Sequence, residues 1–291
     1  MSVLVVGDVI DDIVVRPSSP TIVDSDTVSE ITRAPGGSAA NQAAWLGSLG
    51  VPVRFVGRVG RADLERHRGA LASFGVQPLL IPDDAAPTGT IVIVLGERGE
   101  RNMYTDRGAN ARMNVDDLPL SLLDGVELLH VNGYALFSDD ARHAMLRLIA
   151  EARRRDIAIT ADPCSAAFLP MARRFLEWTS GAAVAFPNLD EAAVLTGRQD
   201  ADAAARELTA HYPVVVVKLG AQGVVVARQG EAPVRLPIQA GVVRDTTGAG
   251  DALCAGFLAA WLRGADALGA AAAGLRTAAV AVSVAGGRPP A

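Results

Sequence analysis

Asp245-Thr246-Thr247-Gly248-Ala249-Gly250-Asp251 places three small residues and a carboxylate where a loop enters an Ala- and Leu-rich stretch of helical character. A helix begun there presents unpaired backbone N–H groups and the positive end of its dipole, and Gly248 and Gly250 carry no side chain to hold an anion away from them. Such a seat suits a phosphoryl group. An acid beside it is repelled by phosphate, so Asp251 makes most sense facing the other reactant, where it accepts the proton of an attacking hydroxyl. The ordinary alternative is a first-turn Asp stabilised by the helix dipole, next to glycines that make a tight turn.

Gly36-Gly37-Ser38-Ala39-Ala40-Asn41-Gln42-Ala43-Ala44 forms a second small-residue string near the other end of the chain. Its glycine pair lets backbone approach a ligand closely, and the alanines let a helix pack tightly on a sheet. The two strings resemble the two signatures of the PfkB/ribokinase family of carbohydrate and nucleoside kinases, at the family's separation. The resemblance implies a ribokinase-like fold, ATP and Mg2+ as requirements, and Asp251 as the catalytic base. It also implies that the backbone of Gly248, Ala249 and Gly250 stabilises charge on the transferred group.

The resemblance carries further positions over singly. In Gly7-Asp8-Val9-Ile10-Asp11-Asp12, Asp12 matches the family's sugar-binding Asp, and a carboxylate can accept from two adjacent hydroxyls. Gly37 and Asn41 match sugar-contacting positions of the first signature. Asn188-Leu189-Asp190-Glu191 matches an N-x-x-E motif linked to magnesium and phosphate, with Glu191 reaching the ion through water. The same four residues form a capping box, which on its own explains Asn188 and Glu191. Asp245 and the Thr247 carbonyl match a loop that holds a monovalent cation, K+, in several relatives. Lys218 precedes Gly220-Ala221-Gln222-Gly223, which resembles the nucleotide-side loop. Lys218, Gly220 and Gly223 therefore join Thr247, Gly248 and Gly250 as nucleotide-binding candidates, with a solvated strand-end lysine as the competing reading.

Departures from ribokinase itself bear on the substrate. Ile10, Ser38 and Gly133 stand where that enzyme has Asn, Lys and a buried sugar-binding Glu, which argues against ribose. Cys164 in Asp162-Pro163-Cys164 replaces an Asn common in relatives and reads as a small buried apolar residue.

The elements that must position these residues alternate along the chain. Apolar runs predict strands near 3–9, 53–57, 126–131, 157–162, 182–186, 213–218 and 223–228, and amphipathic patterns predict helices near 37–49, 62–74, 139–154, 189–196, 200–210, 249–262 and 266–284. That order predicts an α/β fold: a mainly parallel central sheet with helices on both faces, whose ligands bind at the strands' C-terminal edge. Segments 12–34 and 88–106 break the alternation with strand-like pieces and a Gly96-Glu97-Arg98-Gly99 turn. In the resembled family they form a small β-sheet lid over the sugar, which in many relatives packs against another subunit, so a homodimer through the lid is expected.

Composition agrees with one kinase domain spanning 1–291. The 291 residues are half hydrophobic, with no apolar run long enough to suggest a membrane span. Met1-Ser2-Val3-Leu4-Val5-Val6-Gly7 reads as a buried strand and not as a signal peptide, and the two cysteines suggest neither a disulfide framework nor a zinc site, so a cytoplasmic location is expected. A net charge of −5 with scattered arginines argues against nucleic acid. Lys218 is the only lysine and Leu219 follows it, which excludes a GxxxxGK[ST] phosphate loop. A dinucleotide-binding dehydrogenase fits poorly, because no G-x-G-x-x-G follows the first strand. The reading is an ATP- and Mg-dependent kinase acting on a hydroxymethyl group of a small sugar or sugar derivative of the ribose, fructose or keto-deoxy sugar acid type. A nucleoside kinase of the same family and a non-catalytic sugar-binding protein are the alternatives.

Overall fold

The computed structural model describes residues 2–20, 22–96, 101–168, 172–238 and 241–290. The chain begins with β1 (Val3–Val6), enters the antiparallel pair β2 (Ile10–Pro17) and β3 (Ser29–Gly36), and returns through α1 (Ser38–Ser48) to β4 (Val53–Gly60), α2 (Leu64–Ala72) and β5 (Val76–Asp83). A second antiparallel pair follows, β6 (Gly89–Leu95) and β7 (Arg101–Asp106). Next come β8 (Leu128–Asn132), α3 (Asp139–Arg154), β9 (Ala158–Asp162), α4 (Ala172–Thr179), β10 (Val184–Ala185), α5 (Leu189–Thr196) and α6 (Ala201–Leu208). The strands β11 (Val214–Lys218), β12 (Val224–Arg228) and β13 (Val234–Leu236) precede the closing helices α7 (Ala249–Trp261) and α8 (Ala267–Ala281).

Nine strands form one sheet in the order β13-β12-β11-β10-β9-β8-β1-β4-β5. Every pairing from β5 to β11 is parallel, and β12 and β13 add antiparallel at one edge. A parallel sheet buries both faces, so its strands are continuous apolar runs and not alternating ones. In β1, Val3 and Val5 pack on the face covered by α1, α7 and α8, while Leu4 and Val6 pack on the face covered by α3 to α6. The expected alternation and two-sided covering are therefore present.

Segments 12–34 and 88–106 meet in a separate four-stranded sheet, ordered β3-β2-β6-β7 and joined by the parallel pairing of β2 with β6. The expected Gly96-Glu97-Arg98-Gly99 turn falls on residues 97–100, outside the described residues. Because side chains alternate along β2, Asp11 and Asp12 point to opposite faces of this sheet. Asp11 is clamped by Arg66 of α2 at 2.7 Å through both carboxylate oxygens and by Arg33 at 2.5 Å, which fixes the base of the lid to the body.

Three elements were not legible in the apolar pattern. β5 carries Pro78 and Pro82, which read as strand breakers, but it is the sheet's edge, where a missing N–H is tolerated. β13 has three residues, and among the described residues of α4 only Phe175 and Leu176 are buried apolar anchors.

α7 and α8 approach so closely that a Cβ on Gly274 would lie 2.6 Å from the Leu253 carbonyl oxygen. Gly69 in α2 has nothing within 4 Å of the same atom. Exchanging Gly for Ala in a helix gains about 1 kcal/mol of propensity, whereas overpacking costs about 1–3 kcal/mol. Gly69→Ala should therefore raise stability in urea unfolding by up to about 1 kcal/mol, and Gly274→Ala should lower it. Stabilisation by both would mean that the α7–α8 contact is looser than described.

Candidate active site

The start of α7 is shaped as the small-residue string demands. Gly248 is its N-cap in the left-handed region, φ 72°, and a Cβ there would come within 2.5 Å of Gly287. Only glycine meets both conditions. The backbone around Gly287 is itself held from two sides: Trp45 of α1 donates Nε1 to the Gly287 carbonyl at 3.0 Å, and Gly286 N donates to Asp245 Oδ2 at 2.9 Å. Asp245 Oδ1 also accepts from Thr247 N at 2.9 Å and Thr247 Oγ1 at 2.7 Å, which braces the loop leading to Gly248.

Asp251 lies in the first turn of α7, half-buried, and faces α1. Its Oδ1 accepts from Ser38 Oγ at 2.6 Å and its Oδ2 from Asn41 Nδ2 at 3.2 Å. Desolvation pushes its carboxyl up to about 7; the Ser38 hydrogen bond opposes this and the nearby Asp162 charge adds to it. That places it where a carboxylate can both lose and regain a proton near neutrality.

Behind Asp251 runs a chain of buried polar side chains. Asn132 donates to Ser38 Oγ at 2.9 Å and to Gln42 Oε1 at 3.2 Å, and Gln42 Nε2 donates to Asp162 Oδ2 at 2.9 Å. Asp162 in turn receives Lys218 Nζ on both oxygens, at 3.0 and 3.1 Å. Burial works against the lysine charge, but Asp162 outweighs it and holds the ammonium well above the usual lysine range. His130 closes the chain with Nδ1 2.8 Å from Thr160 Oγ1 and Nε2 3.1 Å from Gln42 Oε1. Burial pulls its pKa down to about 4, so the ring is neutral, with the proton on Nε2 where it faces an acceptor.

Two cavities meet at this carboxylate. The smaller, about 140 Å³, lies under the lid and is lined by Asp8, Asp12, Gly37, Asn41, Ile91 and Arg107 among others. The larger, about 780 Å³, runs over the C-terminal edge of the sheet past Asn188, Glu191, Lys218, Gly220, Gly223 and the start of α7. Ser38, Tyr134, Gly248 and Asp251 line both. A third cleft, about 670 Å³, opens between the lid and residues 243–247 and shares Ile93 and Thr247 with the small cavity.

In the small cavity Arg107 grips Asp8 with Nε at 3.0 Å and Nη2 at 2.7 Å, and Asp12 is buried with its carboxyl pushed up to about 6 by desolvation. In the large one, Lys218 is not solvated. Its Nζ lies 3.7 Å from the position a Cβ would take on Gly250, which puts the chain's one lysine beside the start of α7. Gly220 and Gly223 bracket the turn after β11. Asn188 and Glu191 form the reciprocal capping box of α5, with Asn188 N and Nδ2 donating to the two Glu191 oxygens at 2.8 and 2.7 Å. Desolvation pushes Glu191 up to about 7, while Lys218 pulls the other way.

The structure thus gathers the sequence-derived candidates around two joined cavities, and the Asp245–Thr247 pair braces the loop at their rim. It corrects one reading. Cys164 is not a plain apolar filler: it is half-buried in the wall of the large cavity, donates to the Asp162 carbonyl at 3.1 Å and has φ 75°. Ser38, Arg107 and Asp162 went unassigned because their partners are 213, 99 and 56 residues away. For Ser38, its place beside Gly37 in the small-residue string was the available signal.

Over residues 1–291 the chain matches the sequence model of the pfkB family carbohydrate kinases. It is 32% identical over 284 residues to the bifunctional protein HldE of Salmonella arizonae, a match covering 91% of this chain and 56% of that protein, so the chain spans about half of that relative's length. It is 30% identical over 240 residues to the 2-dehydro-3-deoxygluconokinase of Thermoproteus tenax, covering 79% of this chain and 74% of the relative. Among solved structures, adenosine kinase from Sinorhizobium meliloti superposes with a TM-score of 0.89 at 26% identity, covering 100% of this chain and 96% of that one.

Removing one partner of a buried ion pair strands the other charge, at a cost of about 3–5 kcal/mol. Lys218→Met should therefore destabilise the protein in urea unfolding by that order, and adding Asp162→Asn should recover most of the loss. A single variant as stable as the parent would show that Asp162 is compensated by its other donors alone.

Proposed function

The chain belongs to the pfkB family of carbohydrate kinases, and on that premise we propose that it transfers the γ-phosphoryl group of ATP to a hydroxymethyl group of a small sugar or sugar derivative. The observation that carries this is the meeting of the two cavities at Asp251 and Gly248. The small cavity holds the acceptor, with Asp12, Gly37 and Asn41 around its hydroxyls, and the large one holds the nucleotide. Asp251 takes the hydroxyl proton as that oxygen attacks the γ-phosphorus, and the bond from phosphorus to the leaving ADP oxygen breaks. The backbone N–H groups at the start of α7 stabilise the developing charge, each such donor contributing about 3–4 kcal/mol. Lys218, fixed by Asp162, supplies a positive charge on the same side. The whole chain acts as one kinase unit, with the lid excluding water from the acceptor.

Magnesium is proposed to enter bound to the nucleotide phosphates. Among the described residues no group of three or more His, Cys, Asp or Glu side chains could hold a metal. Glu191 has both oxygens engaged by Asn188, which fits contact through water and not direct ligation. At the proposed monovalent-cation loop, Asp245 already receives three donors, so K+ would be held there by loop carbonyls such as that of Thr247. The lid's outward face, with Ile31 and Tyr104 exposed, is the proposed homodimer surface. No helix among the described residues is long and apolar enough to cross a membrane, and a cytoplasmic site of action is proposed.

The acceptor is proposed to be of the ribose, fructose or keto-deoxy sugar acid type, the last named for the Thermoproteus tenax relative. A nucleoside is the second reading. The third cleft favours it, because that space of about 670 Å³ adjoins the small cavity and leaves room for a base between apolar side chains such as Val14, Ile93 and Val243 and charged ones such as Arg16, Glu30 and Arg244.

Purified protein with ATP and magnesium should release ADP in the presence of one member of a panel of ribose, fructose, 2-keto-3-deoxygluconate, sugar phosphates and nucleosides. Asp251→Asn should lower kcat by roughly 10²–10⁴ while nucleotide binding survives. Because the base is needed unprotonated and its carboxyl sits near 7, kcat/KM should fall as pH drops through about 7. Turnover by Asp251→Asn within threefold of the parent, or sugar binding without ADP release, would remove the phosphotransfer reading.

A further inference from the structure

Arg288 is an anomaly near the end of the chain. Its side chain is more than nine-tenths buried, yet Nε and Nη1 have no hydrogen-bond partner, and Nη2 makes only a long 3.4 Å bond to the Gly36 carbonyl. A buried guanidinium with two idle donors is costly unless a negative charge stands near it. Gly36 shows which charge that is. A Cβ on Gly36 would lie 2.2–2.5 Å from the Asp12 carboxyl group, so Asp12 rests directly on the residue whose carbonyl Arg288 holds. The two side chains do not form an ion pair within 4 Å among the described residues, but each acts on the other's charge.

Among the described residues the other cations near Asp12 are engaged by other carboxylates: Arg107, which lines the same cavity, grips Asp8 with Nε and Nη2. Asp11, its neighbour on β2, is engaged by Arg33 and Arg66. His67 of α2, 3.5 Å from Asp11, has its pKa pulled down to about 4 by burial and is neutral. Asp245, on the loop before α7, bears on Asp12 with like charge, as Asp11 does. Arg66 of α2 faces Arg288 with like charge, and burial lowers the Arg288 pKa to about 10, which still leaves it charged at neutral pH. Nor is Arg288 free to drift, since it directly follows Gly287, which is packed between Gly248 and Asn41.

Resting on the assignment of Asp12 to the acceptor hydroxyls, we propose that Arg288 is a positioning residue for Asp12: the counter-ion that keeps this carboxylate ionised and aimed at the acceptor. It touches neither acceptor nor nucleotide. An ionised Asp12 accepts from two hydroxyls, whereas a protonated one loses part of that capacity. The segment Gly286-Gly287-Arg288 therefore serves both reactants, bracing the loop before α7 through Gly286 and setting the charge of the acceptor site through Arg288.

Carboxyl ¹³C NMR of protein labelled at aspartate, with the Asp12 signal assigned by Asp12→Asn, tests this without any substrate. In the parent, Asp12 should titrate near pH 6. In Arg288→Gln the midpoint should move up by roughly one pH unit, as loss of a nearby opposite charge predicts. With an acceptor in hand, the acceptor KM of Arg288→Gln should then exceed the parent's by about fivefold at pH 6 and approach it above pH 8, since the ionised fraction follows the midpoint. The KM for ATP should stay unchanged, and a merely structural loss would raise the acceptor KM equally at every pH. An Asp12 midpoint that does not move in folded Arg288→Gln overturns the proposal. If that variant fails to fold, Arg288→Lys replaces it. Retained charge should keep the Asp12 midpoint within about half a pH unit of the parent and the acceptor KM within about twofold of it; a midpoint raised by a full pH unit in folded Arg288→Lys overturns the proposal. Absence of ADP release with every acceptor in the panel counts against the kinase reading alone, and the NMR comparison still decides on Arg288.

Discussion

A half-buried carboxylate at a helix N-terminus must be hydrogen-bonded by something, and in this molecule the donors come from the opposite end of the chain. Ser38 and Asn41 of α1 hold the two oxygens of Asp251 on α7. Almost every other feature of the site follows from keeping those two helix starts in register. Ser38 is oriented by Asn132, Asn132 by Gln42, and Gln42 by Asp162 and the neutral His130, so the network ends in the buried Lys218–Asp162 pair. Networks of this kind hold a geometry firmly because each member is satisfied only when its neighbours are in place. The same burial that demands the network also lifts Asp251 toward neutrality, which is what a proton acceptor needs.

The architecture supplies this register cheaply in residues. A parallel sheet ends its strands along one edge, and the last residues of β8, β9 and β11 place Asn132, Asp162 and Lys218 there, with Asp8 on the loop leaving β1. Helices α7 and α8 are built largely of Ala and Gly and α1 is rich in Ala, so they lie close to the sheet and to each other, and short side chains such as Ser38 can span the gap. The lid adds Asp12 and Arg107 from the other side, with its base fixed to α2 through Asp11 and Arg66.

How much of this is legible in the sequence depends on the distance over which each signal acts. β1 and β11 are unbroken apolar runs because both their faces are buried, and α5 announces itself by its capping box, so local chemistry suffices. β5 hides because prolines normally end a strand, and only its place at the sheet edge makes them harmless. The glycines and Asp251 of the α7 start are readable as an anion seat with an acid beside it. That Ser38 would donate to this acid, that Arg107 would pair with Asp8, and that Arg288 would lie behind Asp12 depends on the tertiary fold, since no local pattern couples residues so far apart. Cys164 was misread for a related reason: its left-handed backbone is imposed by the turn after β9 and leaves no mark on the side chain's apparent character.

On the proposed function, phosphoryl group and acceptor hydroxyl meet at the start of α7 with Asp251 between them. A crystal structure of the protein with its acceptor, ADP, magnesium and aluminium fluoride tests it most directly, because the fluoride marks where the transferred group sits. The fluoride should lie within hydrogen-bonding distance of the backbone N–H groups that begin α7, with the acceptor hydroxyl in contact with both the aluminium and an Asp251 carboxylate oxygen. A fluoride bound away from the start of α7, or an acceptor hydroxyl out of reach of Asp251, would contradict it.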